Sequence, residues 1–195
     1  MKNLVFLVFA IVLFGCGGGT PPDNTFVAHP FEDAPVIDEA TKQIYLDAIN
    51  NARSIEQDCG VEGIKPAVSA LVWNDALYKS AYEHGKDLAE SDTFSHDGSG
   101  TDSDWTAEVQ GLGRGSTIKE RIVNNAYTNW STLGENVAGG TFQDLAQEAV
   151  DAWIASDGHC ANLMNPRYKD VGMGHVEQDG TRLTHYWVQN LGAKQ

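Results

Sequence analysis

An unbroken apolar run near the start decides where the rest of this chain must fold. Leu4 to Phe14 (LVFLVFAIVLF) follows a short positive start at Lys2. The run is too short to cross a bilayer, which takes about 20 helical residues. Its length and flanking charge are those of a secretory leader. Folding is therefore expected outside the cytoplasm, where disulfides persist. The chain carries three cysteines, Cys16, Cys59 and Cys160.

Leu13-Phe14-Gly15-Cys16 resembles the lipobox of bacterial lipoproteins, with Phe14 an uncommon filler. The resemblance implies that residues 1–15 are removed and that Cys16 becomes the lipidated first residue. Several acyl chains on one residue anchor firmly, where one alone is marginal. Gly17 rather than aspartate follows, which in a Gram-negative envelope implies the outer membrane. The other reading is a plain secreted protein with an incidental Cys16. If lipid takes Cys16, then Cys59 and Cys160 remain, and their default in an oxidising compartment is a disulfide. That bridge closes a loop of about 100 residues and contributes roughly 4–5 kcal/mol in the chain-entropy account. The alternative makes Cys160 a metal ligand beside His159, although no second nearby Cys or His supports it.

The net charge of −14 argues against nucleic acid as a partner, because such a surface repels phosphate. Nor does it offer a basic face to anionic lipid. Residues 16–36 are rich in Gly and Pro and lack any period, so they read as a flexible tether reaching at most about 70 Å. His29 in this stretch is expected to face solvent. A single domain, residues 37–195, follows.

Asp38 caps a predicted helix with Thr41, Ile44, Tyr45, Ala48, Ile49 and Ala52 on one face. Asn74 caps a second, with Trp73 stapled to Tyr78. Leu77, Ala81, His84 and Leu88 share its buried face, so His84 reads as a packing residue. Residues 97–115 read as a polar loop, in which Asp97, Asp102 and Asp104 lack calcium-loop spacing. Thr117 and Glu120 form a capping box for a short helix to about Asn125, and Thr141 is expected to cap another through Trp153. Residues 171–192 have a hairpin pattern with Asp179-Gly180 at the turn. Gly172 and Gly174 suggest a second backbone close by. His175 and His185 sit on facing strands, able to approach each other, and read as sheet residues. Helices first and an antiparallel hairpin last give an α+β class.

Four stretches in this order, FSHDGS (94–99), GENVAGG (134–140), WIASDGHCANLMNP (153–166) and VGMGHV with HYWVQNLG (171–176, 185–192), resemble the CAP superfamily of cysteine-rich secretory, antigen 5 and pathogenesis-related proteins. The bacterial branch is the nearest match, over roughly residues 38–192. The resemblance implies a three-layer α-β-α sandwich with a small antiparallel sheet and a broad cleft. It places His96, Glu135 and His159 at the cleft floor. Many members carry a second glutamate where this chain has Ser156. Glu148 lies about 12 Å too far along a helix to replace it, and Asp157 would need another backbone direction. A Cys59–Cys160 bridge also fits bacterial members.

His96, His159 and Glu135 form a plausible ligand set for zinc or another divalent metal. The competing reading is a structural polar cluster held by charge-assisted hydrogen bonds. The expected function is a lipid-anchored, extracytoplasmic binding module of the cell envelope. Its cleft would take a peptide, glycan or lipid. The alternative is a metal-assisted hydrolase of peptide or cell-wall material.

Overall fold

A computed structural model describes residues 26–195. The leader, Cys16 and the first part of the tether lie outside the described residues.

Residues 26–36, expected to be free tether, lie instead against the domain. Asn124 brackets His29: its Oδ1 accepts from the His29 N–H at 3.0 Å, and its Nδ2 donates to the His29 carbonyl at 2.9 Å. Trp105 Nε1 donates to the same carbonyl, and Asn125 Oδ1 accepts from the Phe31 N–H, both at 2.9 Å. Phe31 is only 5% exposed, between the rings of Tyr82 and Trp105. A Pro-rich segment forms no ladder of its own, but its backbone groups can still be satisfied by amide side chains. The His29 side chain itself is exposed, as expected.

Helix α1 (Glu39–Arg53) starts at Asp38, whose carboxylate accepts from the Thr41 N–H at 2.7 Å. Two short paired strands, β1 (Gln57–Asp58) and β2 (Ile64–Lys65), flank Cys59. Strand β3 (Val72–Trp73) leads into α2 (Asp75–Glu90). Asn74 caps α2, and Trp73 meets Tyr78 with ring centroids 5.6 Å apart. The stretch 97–115 is not all loop. It contains α3 (Trp105–Gln110), capped by Asp104, a buried acid whose Oδ2 also accepts from the Ser116 N–H at 2.8 Å. Helix α4 (Ile118–Asn124) has the expected Thr117–Glu120 capping box.

Strand β4 (Trp130–Gly140) follows, then α5 (Ala146–Ile154) and α6 (Asp157–Leu163). Thr141 is not the cap of α5. That helix starts five residues later, where the Glu148 carboxylate accepts from the Leu145 N–H at 3.0 Å. Strands β5 (Asp170–Glu177) and β6 (His185–Lys194) complete the chain. Asp179-Gly180 lies in a loop spanning 178–184 rather than a two-residue turn, with Gly180 at φ +81°.

The main sheet has the order β3-β5-β6-β4, antiparallel except for the parallel β3–β5 pair. One face, with Met173, Trp187 and Leu191, packs on Ile49 of α1, Trp153 of α5 and Leu163 of α6. The other, with Val176, Tyr186 and Val188, packs on Ala81 and Leu88 of α2. The chain thus adopts the three-layer α-β-α arrangement. Cys59 and Cys160 are disulfide-bonded, Cα atoms 5.4 Å apart, which removes Cys160 as a metal ligand. Arg53 is fully buried and has no acid partner among the described residues. Its guanidinium donates only to the Ser69, Leu163 and Asn165 carbonyls, joining the end of α1 to the end of α6.

At Gly172 and Gly174 helix α2 lies on β5 with no room for a side chain between them. A Cβ at Gly172 would stand 2.0 Å from the Tyr78 nitrogen, and one at Gly174 2.7 Å from the Tyr82 nitrogen. Backbone cannot retreat as a side-chain tip can, so Gly174→Ala must lift α2 off the sheet. We expect a loss of about 3 kcal/mol, the upper range for overpacking. In thermal denaturation this reads as a melting temperature lower by roughly 6–12 °C.

Candidate functional site

The site is built on the free edge of β4. Helix α6 and the segment after it dress that edge. Asn162 Nδ2 donates to the Glu135 carbonyl at 3.0 Å, and the Tyr168 hydroxyl donates to the Leu133 carbonyl at 3.2 Å. Such dressing blunts an edge that would otherwise invite another strand. Between this border and the 94–99 loop lies a cavity of about 430 Å³, lined by His96, Ile118, Leu133, Glu135, Ser156, His159 and Tyr168, among others.

Glu135 is the centre of the polar network. Its side chain is fully buried. Arg121 Nη2 donates to Oε2 at 3.0 Å and to Oε1 at 3.3 Å. His96 Nδ1 lies 3.0 Å from Oε1. A carboxylate only accepts, so Nδ1 carries the hydrogen and His96 presents Nε2 to the cleft. The Asn190 amide, oriented by its neighbours, donates to Oε2 at 3.0 Å. Burial alone would push the Glu135 carboxyl up. The Arg121 charge, His84 and the hydrogen bonds from His96 and Arg121 override burial and hold it at about 2.

His159 projects from α6. Its Nδ1 shares a 3.0 Å hydrogen bond with Ser156 Oγ, and its ring centroid is 6.1 Å from that of His96. The two imidazoles are driven apart in basicity. The Glu135 hydrogen bond raises His96, while burial and then the His96 charge lower His159. The structure therefore brings together His96, Glu135, Ser156 and His159. Asp157 turns away, its carboxylate accepting from the Val61 N–H at 3.0 Å on the Cys59 loop.

Glu135, expected among the ligands, has both carboxylate oxygens in hydrogen bonds. Its oxygens are committed to Arg121, His96 and Asn190, so it acts as the carboxylate that orients a histidine. Among the described residues no group of three or more His, Cys, Asp or Glu is disposed to hold an ion. With both Nδ1 atoms hydrogen-bonded, the Nε2 atoms of His96 and His159 are left without a hydrogen-bond partner among the described residues.

Two supporting residues escape a reading of the sequence alone. Arg121 is buried, with Nη1 on the Ser116 carbonyl at 2.8 Å and Nη2 on the His96 carbonyl at 2.8 Å. The available signal is its place on the inward face of α4 with Ile118, Ile122 and Asn125, at helical spacing. A guanidinium there needs hydrogen-bond acceptors across the core. His84 is also more than packing. Its Nε2 donates to the Ser95 carbonyl at 3.0 Å, fixing the loop that carries His96. Burial, reinforced by Arg121, lowers its pKa to about 4, so its 3.8 Å approach to Glu135 is not an ion pair at neutral pH.

A family model described as the cysteine-rich secretory protein family, CAP, matches residues 46–191. The Bacillus subtilis protein named "Uncharacterized protein YkwD" is 29% identical over 133 residues, which is 68% of this chain and 42% of the relative. The chain thus spans less than half the length of the curated relatives it matches. An outer surface protein from Borrelia burgdorferi shares the fold with a TM-score of 0.55 at 19% identity, covering 87% of this chain and 100% of that one. An extracellular protein containing a SCP domain from Bacillus anthracis also has a TM-score of 0.55, at 22% identity, covering 82% of this chain and 45% of that one.

The depressed Glu135 pKa makes stability acid-sensitive. Its folded value, about 2, lies below the ordinary 4.5, so its contribution is complete above 4.5 and is lost as pH falls toward 2. Thermal denaturation across this range should show stability falling with acid. Glu135→Gln should lose one proton's worth of that slope, while being less stable at pH 7 because Arg121 is left buried without its counter-charge.

Proposed function

The chain belongs to the CAP family of cysteine-rich secretory proteins, and from that membership we propose that it is a lipid-anchored, extracytoplasmic binding module whose cleft uses a paired-imidazole floor to hold its ligand. The observation that carries this reading is that two imidazoles line one open cavity with ring centroids 6.1 Å apart, each ring held through its Nδ1. Rings fixed in this way suit a divalent transition metal such as zinc, since a metal-binding histidine commonly has its other nitrogen held. His96 and His159 would hold the ion, and Glu135 would orient His96. The ion, when bound, would attract a carbonyl, carboxylate or hydroxyl oxygen of a peptide, glycan or lipid. Ile118, Leu133 and Tyr168 add apolar wall to the same cavity.

Export and anchoring rest on the leader and Cys16. They agree with the extracellular and outer-surface character of the two solved relatives described above. Among the described residues no helix is long and apolar enough to cross a membrane. Attachment through lipid at Cys16 is supported by the lipobox-like Leu13-Phe14-Gly15-Cys16. The second reading, a hydrolase, has one observation in its favour: the Ser156 hydroxyl stands 3.0 Å from His159 Nδ1, where a base could take its proton.

Calorimetric titration with Zn²⁺ should find one site per chain. His96→Ala/His159→Ala should abolish it, and Glu135→Gln should weaken it roughly 10–100-fold. Because ligating imidazole must be neutral and His96 is raised, affinity should fall as pH drops below the His96 pKa. Equal affinity in wild type and double variant removes the metal. Turnover of peptide or peptidoglycan that disappears in Ser156→Ala would replace the binding reading with the hydrolase. For the anchor, labelled palmitate should enter the wild-type chain and not Cys16→Ser.

A further inference from the structure

The far end of the sheet carries a second polar cavity that the cleft does not explain. It lies where β4 ends and the β5–β6 loop begins. Gly140 is five residues beyond Glu135 on β4, about 17 Å along the strand. The cavity measures about 290 Å³ and is lined by Thr141, Phe142, Asp144, Glu177 and His185. Asp144 and Glu177 come from different elements, both are exposed, and neither makes an ion pair among the described residues.

His185 is the built part of this cavity. It is 7% exposed yet lines the wall. Its Nδ1 lies 3.1 Å from His175 Nε2, and the His175 ring stacks on Trp187 at 4.0 Å with an interplanar angle of 11°. Either ring can donate in this pair; a cation in the cavity would select the tautomer in which His185 Nδ1–H donates to His175 and His185 Nε2, without a hydrogen-bond partner among the described residues, accepts. Burial, then His185, lowers the His175 pKa to about 4, so that ring adds no positive charge near neutrality. Phe142, 91% exposed, leaves an aromatic face uncovered at the rim.

We propose that this cavity is a subsite for an organic cation, the ammonium or guanidinium of a lysine or arginine side chain in a peptide ligand. Two carboxylates without ion pairs among the described residues and a buried imidazole able to accept match a group with several N–H donors. Phe142 offers the cation a π face. A bare metal ion fits less well, because no three of the His and acidic groups converge on one point among the described residues. An extended, multiply donating cation can reach separated acceptors. This subsite stands independently of the reading of the cleft.

The test is ¹⁵N–¹H NMR titration of the full chain with N-acetyl-arginine amide and N-acetyl-lysine amide, using N-acetyl-norleucine amide as the uncharged control. Shifts should centre on residues 141–145, 177 and 185, and weaken as salt rises. Asp144→Asn/Glu177→Gln should weaken binding at least tenfold, and Phe142→Leu about threefold. These three side chains are exposed, so the variants should keep the wild-type spectrum elsewhere. His96→Ala/His159→Ala should leave amide binding unchanged, which separates this site from the cleft. Equal binding of the norleucine control, indifference to the double carboxamide variant, or shifts here with Zn²⁺ but not the cationic amides would each overturn the proposal.

Discussion

The buried pairing of Arg121 with Glu135 fastens the helical layer of α2 and α4 to the sheet. Arg121 comes from α4, Glu135 from the edge strand β4, and the groups that complete their shells come from α2, β6 and the 94–99 loop. Removing two charges from water costs several kcal/mol each, and their attraction recovers that only in good geometry with the remaining hydrogen bonds filled. The value of the pair lies in position more than in net stability. A carboxylate that must meet Arg121, His96 and Asn190 can occupy one place only. His96 is thereby fixed in tautomer and direction, and its exposed nitrogen faces a cavity whose opposite wall brings His159.

Much of the helical layer is legible in the sequence because helix starts are local events. Asp38, Asn74 and Thr117 each announce a helix through one side chain and a nearby N–H, and all three act as caps. The inward face of α2 follows from spacing alone, with Leu77, Ala81, His84 and Leu88 all buried. The cleft residues are legible only through the family resemblance. His96 and His159 are far apart in sequence, and no periodicity brings them together.

The features that stay hidden depend on partners distant in the chain. Strand β4 is rich in glycine, and Gly134 sits where any Cβ would strike the Tyr168 hydroxyl, 2.2 Å away. Its strand character comes from pairing with β6 and packing beneath α6, neither of which is written in GENVAGG. Helix α6 is masked by Gly158 and the disulfide. The docked N-terminal segment looks free by composition, because its partners Asn124, Asn125 and Trp105 lie far along the chain. Arg121 is hidden for the same reason, since its acid lies on another layer.

The docked segment has a mechanical consequence. Residues 29 and 31 are fastened by their backbone to Asn124 and Asn125, at the end of the helix that also bears Arg121. Tension on the chain upstream of residue 26 therefore reaches the body of the protein at α4, ahead of α1 and the sheet. The fastening is a handful of hydrogen bonds and one inserted ring, and it would yield before the strands do. A pull strong enough to peel it would free about ten residues of chain, roughly 35 Å when extended, and leave the rest of the fold standing.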